Sequence, residues 1–118
     1  MATRTLLKNI TIINEGQLTL ADILIEGQII MQIGSDLPSE GAIEINGLGK
    51  FLFPGVIDGQ VHFREPGLTH KGDINSESRA AVAGGVTSFI DMPNTLPNVL
   101  SIEMLEEKNK IASKKSLA

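Results

Sequence analysis

The apolar residues change their rhythm at about residue 50, and that change limits the folds open to this chain more than any other feature. Before it, Leu6, Ile10 and Ile12 lead to Asn14-Glu15-Gly16, Leu18, Leu20, Ile23 and Ile25 lead to Glu26-Gly27, and Ile29 to Ile33 lead to Gly34-Ser35-Asp36. Short period-two runs broken by turn residues predict a meander of hairpins. Ala42-Ile43-Glu44-Ile45 adds a short strand before the Asn46-Gly47 turn. So few strands cannot bury both faces of a sheet, and this one is expected to lean on further structure.

After Lys50, Phe51-Leu52-Phe53-Pro54-Gly55-Val56-Ile57 is almost continuously apolar, the pattern of a strand buried on both faces. A polar loop over 64–72 precedes a helix predicted over 73–83, with Asp73 or Asn75 as its cap and Gly84-Gly85 at a left-handed terminus. Val86 to Ile90 is a second buried strand, and Met92-Pro93-Asn94-Thr95-Leu96-Pro97 a rigid loop. Ser101 opens a second helix, with Glu103, Glu106 and Glu107 early and Lys110, Lys114 and Lys115 late, in the sense of the helix macrodipole. Its charged run is expected to face water and Ile102, Leu105 and Ala112 to be its buried stripe. Strand, helix, strand, helix is the order of a parallel α/β sheet or barrel. The reading is therefore α/β in two parts, a strand-rich 1–50 and a βαβα stretch over 51–118. Two βα units cannot close a barrel of roughly 250 residues, so the chain is expected to be part of a longer protein.

Composition removes several function classes. Ten Lys and Arg stand against 14 Asp and Glu, a net charge of −4, and the aromatics are four Phe alone. Neither the counterion release nor the base stacking that nucleic acids need is available, so no nucleic-acid partner is expected. The absence of Cys excludes disulfides, thiolate zinc sites and cysteine nucleophiles, and fits a reducing compartment. No run suits a secretory signal or a membrane span, which makes a cytoplasmic protein with no membrane partner the default. Gly47-Leu48-Gly49-Lys50 fails as a phosphate loop, because Glu44 stands where its first glycine would be.

Chemistry concentrates in Pro54-Gly55-Val56-Ile57-Asp58-Gly59-Gln60-Val61-His62-Phe63-Arg64-Glu65-Pro66-Gly67. Strand alternation would put Asp58, Gln60, His62 and Arg64 on one face, gathered at the carboxyl end where barrels and open α/β sheets hold their active sites. Read alone, His62 is a ligand or a hydrogen-bonded structural residue, and Asp58 supports a metal site or satisfies backbone donors. His70, beside Lys71 in the polar loop, reads as a solvated residue, with a supporting role left open.

This stretch, together with Glu77-Ser78-Arg79-Ala80-Ala81-Val82-Ala83-Gly84-Gly85-Val86-Thr87-Ser88 and Asp91-Met92-Pro93-Asn94-Thr95, resembles the first third of the dihydroorotases of the metal-dependent amidohydrolase superfamily. The resemblance covers nearly the whole chain. It implies N-terminal strands of a small β-sandwich, followed by the first two βα units of a (β/α)8 (TIM) barrel, incomplete in this chain. It also implies a zinc-dependent cyclic amidohydrolase that interconverts N-carbamoyl-L-aspartate and dihydroorotate in pyrimidine biosynthesis, with one or two Zn2+ ions, a small-molecule substrate, and a homo-oligomer compatible with it.

Carried over residue by residue, His62 matches the second His of a metal-binding His-x-His pair, and Arg64 the arginine that grips the substrate's carboxylate. Asn94 matches an asparagine that helps to hold the same group. Allantoinases share the Glu65-Pro66-Gly67 continuation with Asn in place of Arg64, and hydantoinases and dihydropyrimidinases lack the run. Arg64 therefore favours a substrate with a free carboxylate.

Position 60 departs from the pattern, with Gln60 where the first metal-binding His is expected. A neutral amide is a much poorer zinc ligand than imidazole. A site that keeps one metal on other ligands, a site weakly coordinated by Gln60 or water, and a catalytically silent relative with an assembly role all remain open. An allantoinase-like or hydantoinase-like hydrolase is the enzymatic alternative. The family's general acid-base Asp and remaining metal ligands match nothing in this stretch, so no catalytic residue is assigned here and the 118-residue piece alone is expected to show no turnover.

Overall fold

Two left-handed residues start the first sheet. Glu15 (φ 48°) and Gly16 (φ 74°) join β1 (Arg4–Asn14) to β2 (Gln17–Glu26) in register Asn14 to Gln17. Positive φ at both loop positions is what a tight type I′ hairpin needs to match the twist of its strands. A second tight turn at Gly27 (φ 60°) leads into antiparallel β3 (Ile29–Gly34). The computed structural model describes residues 2–118, which form two units, one ending at Pro54 and the other running Gly55–Ala118.

Beyond β3 the chain abandons the meander. β4 (Ile43–Asn46) returns to lie parallel to β1, pairing Thr5 with Ile43, so the strand order is β3-β2-β1-β4. β5 (Phe51–Leu52) also pairs with β1, further along at Thr11. The single strand expected over 51–57 is therefore two elements. Pro54 has no N–H to give a ladder, and the chain breaks pairing there before it enters the next sheet. Leu6, Leu24 and Leu37 form the core of this unit. Asp22 is buried against it, and its carboxylate accepts the N–H of Asn9 at 2.8 Å and of Leu37 at 3.0 Å. Asn9 (φ 56°) lies where the β1–β2 register slips, so Asp22 satisfies a donor that the irregular ladder leaves free.

The second unit contains β6 (Val56–Val61) parallel to β7 (Val86–Asp91), with α1 (Ile74–Ala83) between them and α2 (Ile102–Lys115) after. Asp73 caps α1 by accepting the Ser76 N–H at 2.8 Å, completed as a capping box by the Ser76 hydroxyl. Gly84 closes the helix in right-handed conformation, and the left-handed turn falls one residue later on Gly85 (φ 90°). Ser101 caps α2. The apolar strands remain open: Val56 and Ile57 on β6 and Ile90 on β7 are exposed, against the expectation of two covered faces. A parallel sheet covers both faces only with helices on each side, and this two-stranded sheet has α1 and α2 alone among the described residues. The stripe of α2 is corrected as well. Ile102 and Leu105 are exposed, while Lys108, inside the run expected to face water, is the buried residue of the helix. No helix among the described residues is long and apolar enough to cross a membrane.

Candidate functional site

Parallel pairing of β6 with β7 brings their carboxyl ends together, and Met92 N–H donates to Val61 O at 2.9 Å just beyond the strands. That closure sets two loops side by side. His62 leaves β6, Asn94 follows β7, and His62 Nδ1 lies 2.9 Å from Asn94 Oδ1. The amide oxygen carries no proton, so Nδ1 donates. In the neutral ring, Nε2 then keeps its lone pair, while Asn94 Nδ2 is left to donate elsewhere. Both side chains are exposed.

Alternation along β6 does not run to residue 64, because the strand ends at Val61. Arg64 takes a left-handed backbone instead (φ 64°) and is half-buried. Among the described residues its guanidinium forms no ion pair, which leaves planar donors for a carboxylate oxygen pair. Gln60 is exposed at the end of β6. Asp58 Oδ1 accepts the Gln60 N–H at 3.0 Å, so of its two readings the backbone one describes its contact. His70 is exposed in a turn closed by Lys71 N–H on Leu68 O.

Residues that the sequence did not single out hold this end in place. Phe63 is buried and stacks at a tilt on Phe89, with ring centroids 4.5 Å apart. Its N–H donates to Asp91 Oδ1 at 3.0 Å, and Asp91 pairs with Lys108. Buried Glu65 accepts the N–H of Ile74, the first residue of α1, at 3.0 Å and pairs with Lys115. Gly67 (φ 81°) passes so close to the second loop that a Cβ there would lie 1.9 Å from Leu96 O. The signal available in the sequence was the spacing of Lys108 and Lys115, seven residues or about two turns apart.

Residues 49–114 match the model of a family described as dihydro-orotase-like. The chain belongs to that family. Among curated dihydroorotases it is 44% identical to that of Carboxydothermus hydrogenoformans over 105 residues, covering 86% of this chain and 24% of the relative. With that of Lactobacillus johnsonii the identity is 41% over 113 residues, covering 96% and 26%. The chain thus spans about a quarter of these relatives' length, at 24% and 26%. Among solved structures, the L-hydantoinase (dihydropyrimidinase) from Arthrobacter aurescens superposes with a TM-score of 0.87 at 32% identity, over 95% of this chain and 25% of that one. A crystal structure of a D-hydantoinase gives 0.83 at 32% identity, over 97% and 25%. The mixed α/β architecture is accordingly part of an amidohydrolase fold.

A resident metal does not fit the described part of this dihydro-orotase-like chain by itself. No group of three His, Asp or Glu side chains there converges on one point. The β6 end offers one imidazole nitrogen, and the neighbouring position is the neutral amide of Gln60.

Proposed function

We propose that the protein to which this chain belongs is a dihydroorotase, a cyclic amidohydrolase that interconverts dihydroorotate and N-carbamoyl-L-aspartate. Arg64 and Asn94 hold the substrate's carboxylate. One observation carries the reading: the 2.9 Å contact of Asn94 Oδ1 with His62, two residues before Arg64, leaves Asn94 Nδ2 as a donor, and the Arg64 guanidinium forms no ion pair among the described residues. A guanidinium and an amide N–H₂ offer only donors, which suits an anion with two acceptor oxygens. Relatives at 41% and 44% identity that carry the dihydroorotase name support the same substrate.

In this reading residues 1–50 supply strands of a β-sandwich and residues 51–118 the first two βα units of a (β/α)8 barrel, in a cytoplasmic enzyme. Zinc in this reading rests chiefly on ligands outside this stretch, to which the stretch itself adds His62, with Gln60 contributing weakly or not at all. The piece of 118 residues is not expected to turn over substrate. The full-length protein tests the assignment when assayed on dihydroorotate, hydantoin and allantoin. Turnover of dihydroorotate well above the other two supports it. Preference for either carboxylate-free ring refutes it, and the hydantoinase neighbours make hydantoin the competitor to watch.

A further inference from the structure

Two lysines on one side of α2 pair with acids that bear on the chain at either side of Arg64: Lys108 with Asp91, which holds the Phe63 N–H, and Lys115 with the Glu65 side chain. Phe63 and Glu65 are each 6% exposed, whereas His62 between β6 and Phe63 is exposed. Phe63 N–H is held by Asp91 Oδ1 at 3.0 Å. Asp91 Oδ2 is in turn 2.8 Å from Lys108 Nζ, whose aligned hydrogen bond goes to Met92 O at 2.9 Å. Glu65 divides its carboxylate between Ile74 N–H and Lys115 Nζ. Arg64 itself has φ 64°, a conformation that a side-chain-bearing residue keeps only when its surroundings impose it.

We propose that Lys108 and Lys115 are positioning residues which, through Asp91 and Glu65, hold Phe63 and Glu65 fixed and so set the direction from which Arg64 meets the substrate's carboxylate. The proposal rests on the reading of Arg64 as the carboxylate grip. Neither lysine bonds His62, Arg64 or Asn94; Lys108 bonds Met92 O and pairs with Asp91, and Lys115 bonds Glu65. Two separate acid–lysine pairs make the device: with Lys108 lost, Asp91 loses the counter-charge that anchors it at the Phe63 N–H, and with Lys115 lost, buried Glu65 loses the charge that anchors it at the Ile74 N–H. The hydrogen bond from Lys115 to Glu65 raises the lysine's pKa above its ordinary value, as expected where the charged ammonium is the form that is bonded.

The test uses the full-length protein with Lys108→Met, Lys115→Met and Lys115→Arg. Each Met variant should raise KM for dihydroorotate about tenfold, equivalent to losing the orientation of one charge-assisted contact, with kcat changed much less. Lys115→Arg, which still reaches Glu65, should return KM close to the parent. Amide hydrogen exchange should quicken at Phe63 in Lys108→Met and at Ile74 in Lys115→Met. A lowered melting temperature with unchanged KM, or no rescue by Arg, would overturn the proposal. Should the parent protein fail to process dihydroorotate, the functional reading falls by itself. Exchange then decides the clamp alone: faster exchange at both amides supports it and unaltered rates refute it.

Discussion

Buried carboxylates that accept backbone N–H groups account for more of this structure than its surface charges do. Asp22 lies 3% exposed between two amide donors, and the Asn9 N–H, ahead of the Leu37 N–H, holds its pKa below the ordinary aspartate value. Asp73, accepting first from Ser76 N–H at the α1 cap, is depressed as well. A depressed acid stabilises the fold above its unfolded pKa of about 3.9, and the contribution disappears as pH falls through the folded value. Thermal melts should therefore be flat near neutrality and fall below about pH 4. Asp22→Asn should lower the melting temperature at pH 7, since an amide cannot accept two N–H groups on two oxygens, and should blunt the acid step. An unchanged acid limb would exclude Asp22 as a contributor. Gly67→Ala is expected to cost at least about 1–3 kcal/mol from left-handed backbone alone. The 1.9 Å approach of the new Cβ to Leu96 O adds to that, and denaturant melts measure the sum. At this scale His62, Arg64 and Asn94 were singled out by residue type and by the family resemblance, and the structure brings His62 and Asn94 within hydrogen-bond distance. Glu65, Asp91 and Lys108 were not: an acid or a lysine in a charged run looks solvated until a partner from another element is known.

Elements were legible where local chemistry sets their ends. Asn14-Glu15-Gly16, Asp73 and Ser101 each mark a boundary that a turn or a cap requires, and the structure has boundaries at all three. Pairing partners were not legible, because period-two patterning says which face of β4 is apolar and nothing about whether it joins β3 or returns to β1. The docking of α1 against α2 was hidden in the same way. Ser78, fully buried on α1, accepts Leu117 N–H at 3.0 Å, and Asn75 Nδ2 donates to Lys115 O at 3.0 Å, so α1 satisfies groups left free at the end of α2. Ser78→Ala should cost about 1–3 kcal/mol by leaving the Leu117 amide unpaired, measured as a shift in denaturation midpoint. Substitution of exposed Arg79 beside it should cost much less, and equal effects would contradict the docking role.

For the whole molecule, the family and the mixed α/β architecture followed from the sequence, while the metal question turns on one side chain. Gln60 stands beside a single usable imidazole. In the full-length protein Gln60→His should therefore raise zinc retained through dialysis, by element analysis, without altering the melting temperature much. Equal retention would show that position 60 faces away from any metal. The most direct measurement of the central claim is a comparison of dihydroorotate with its carboxylate-free ring analogue as ligands of full-length protein, before and after Arg64→Met. Loss of roughly 1.5–3 kcal/mol, about 10–100-fold in Kd, is expected for dihydroorotate alone, because only that ligand gives up a charge-assisted fork. Equal weakening of both ligands, or of neither, would contradict the assignment of Arg64 as the carboxylate grip.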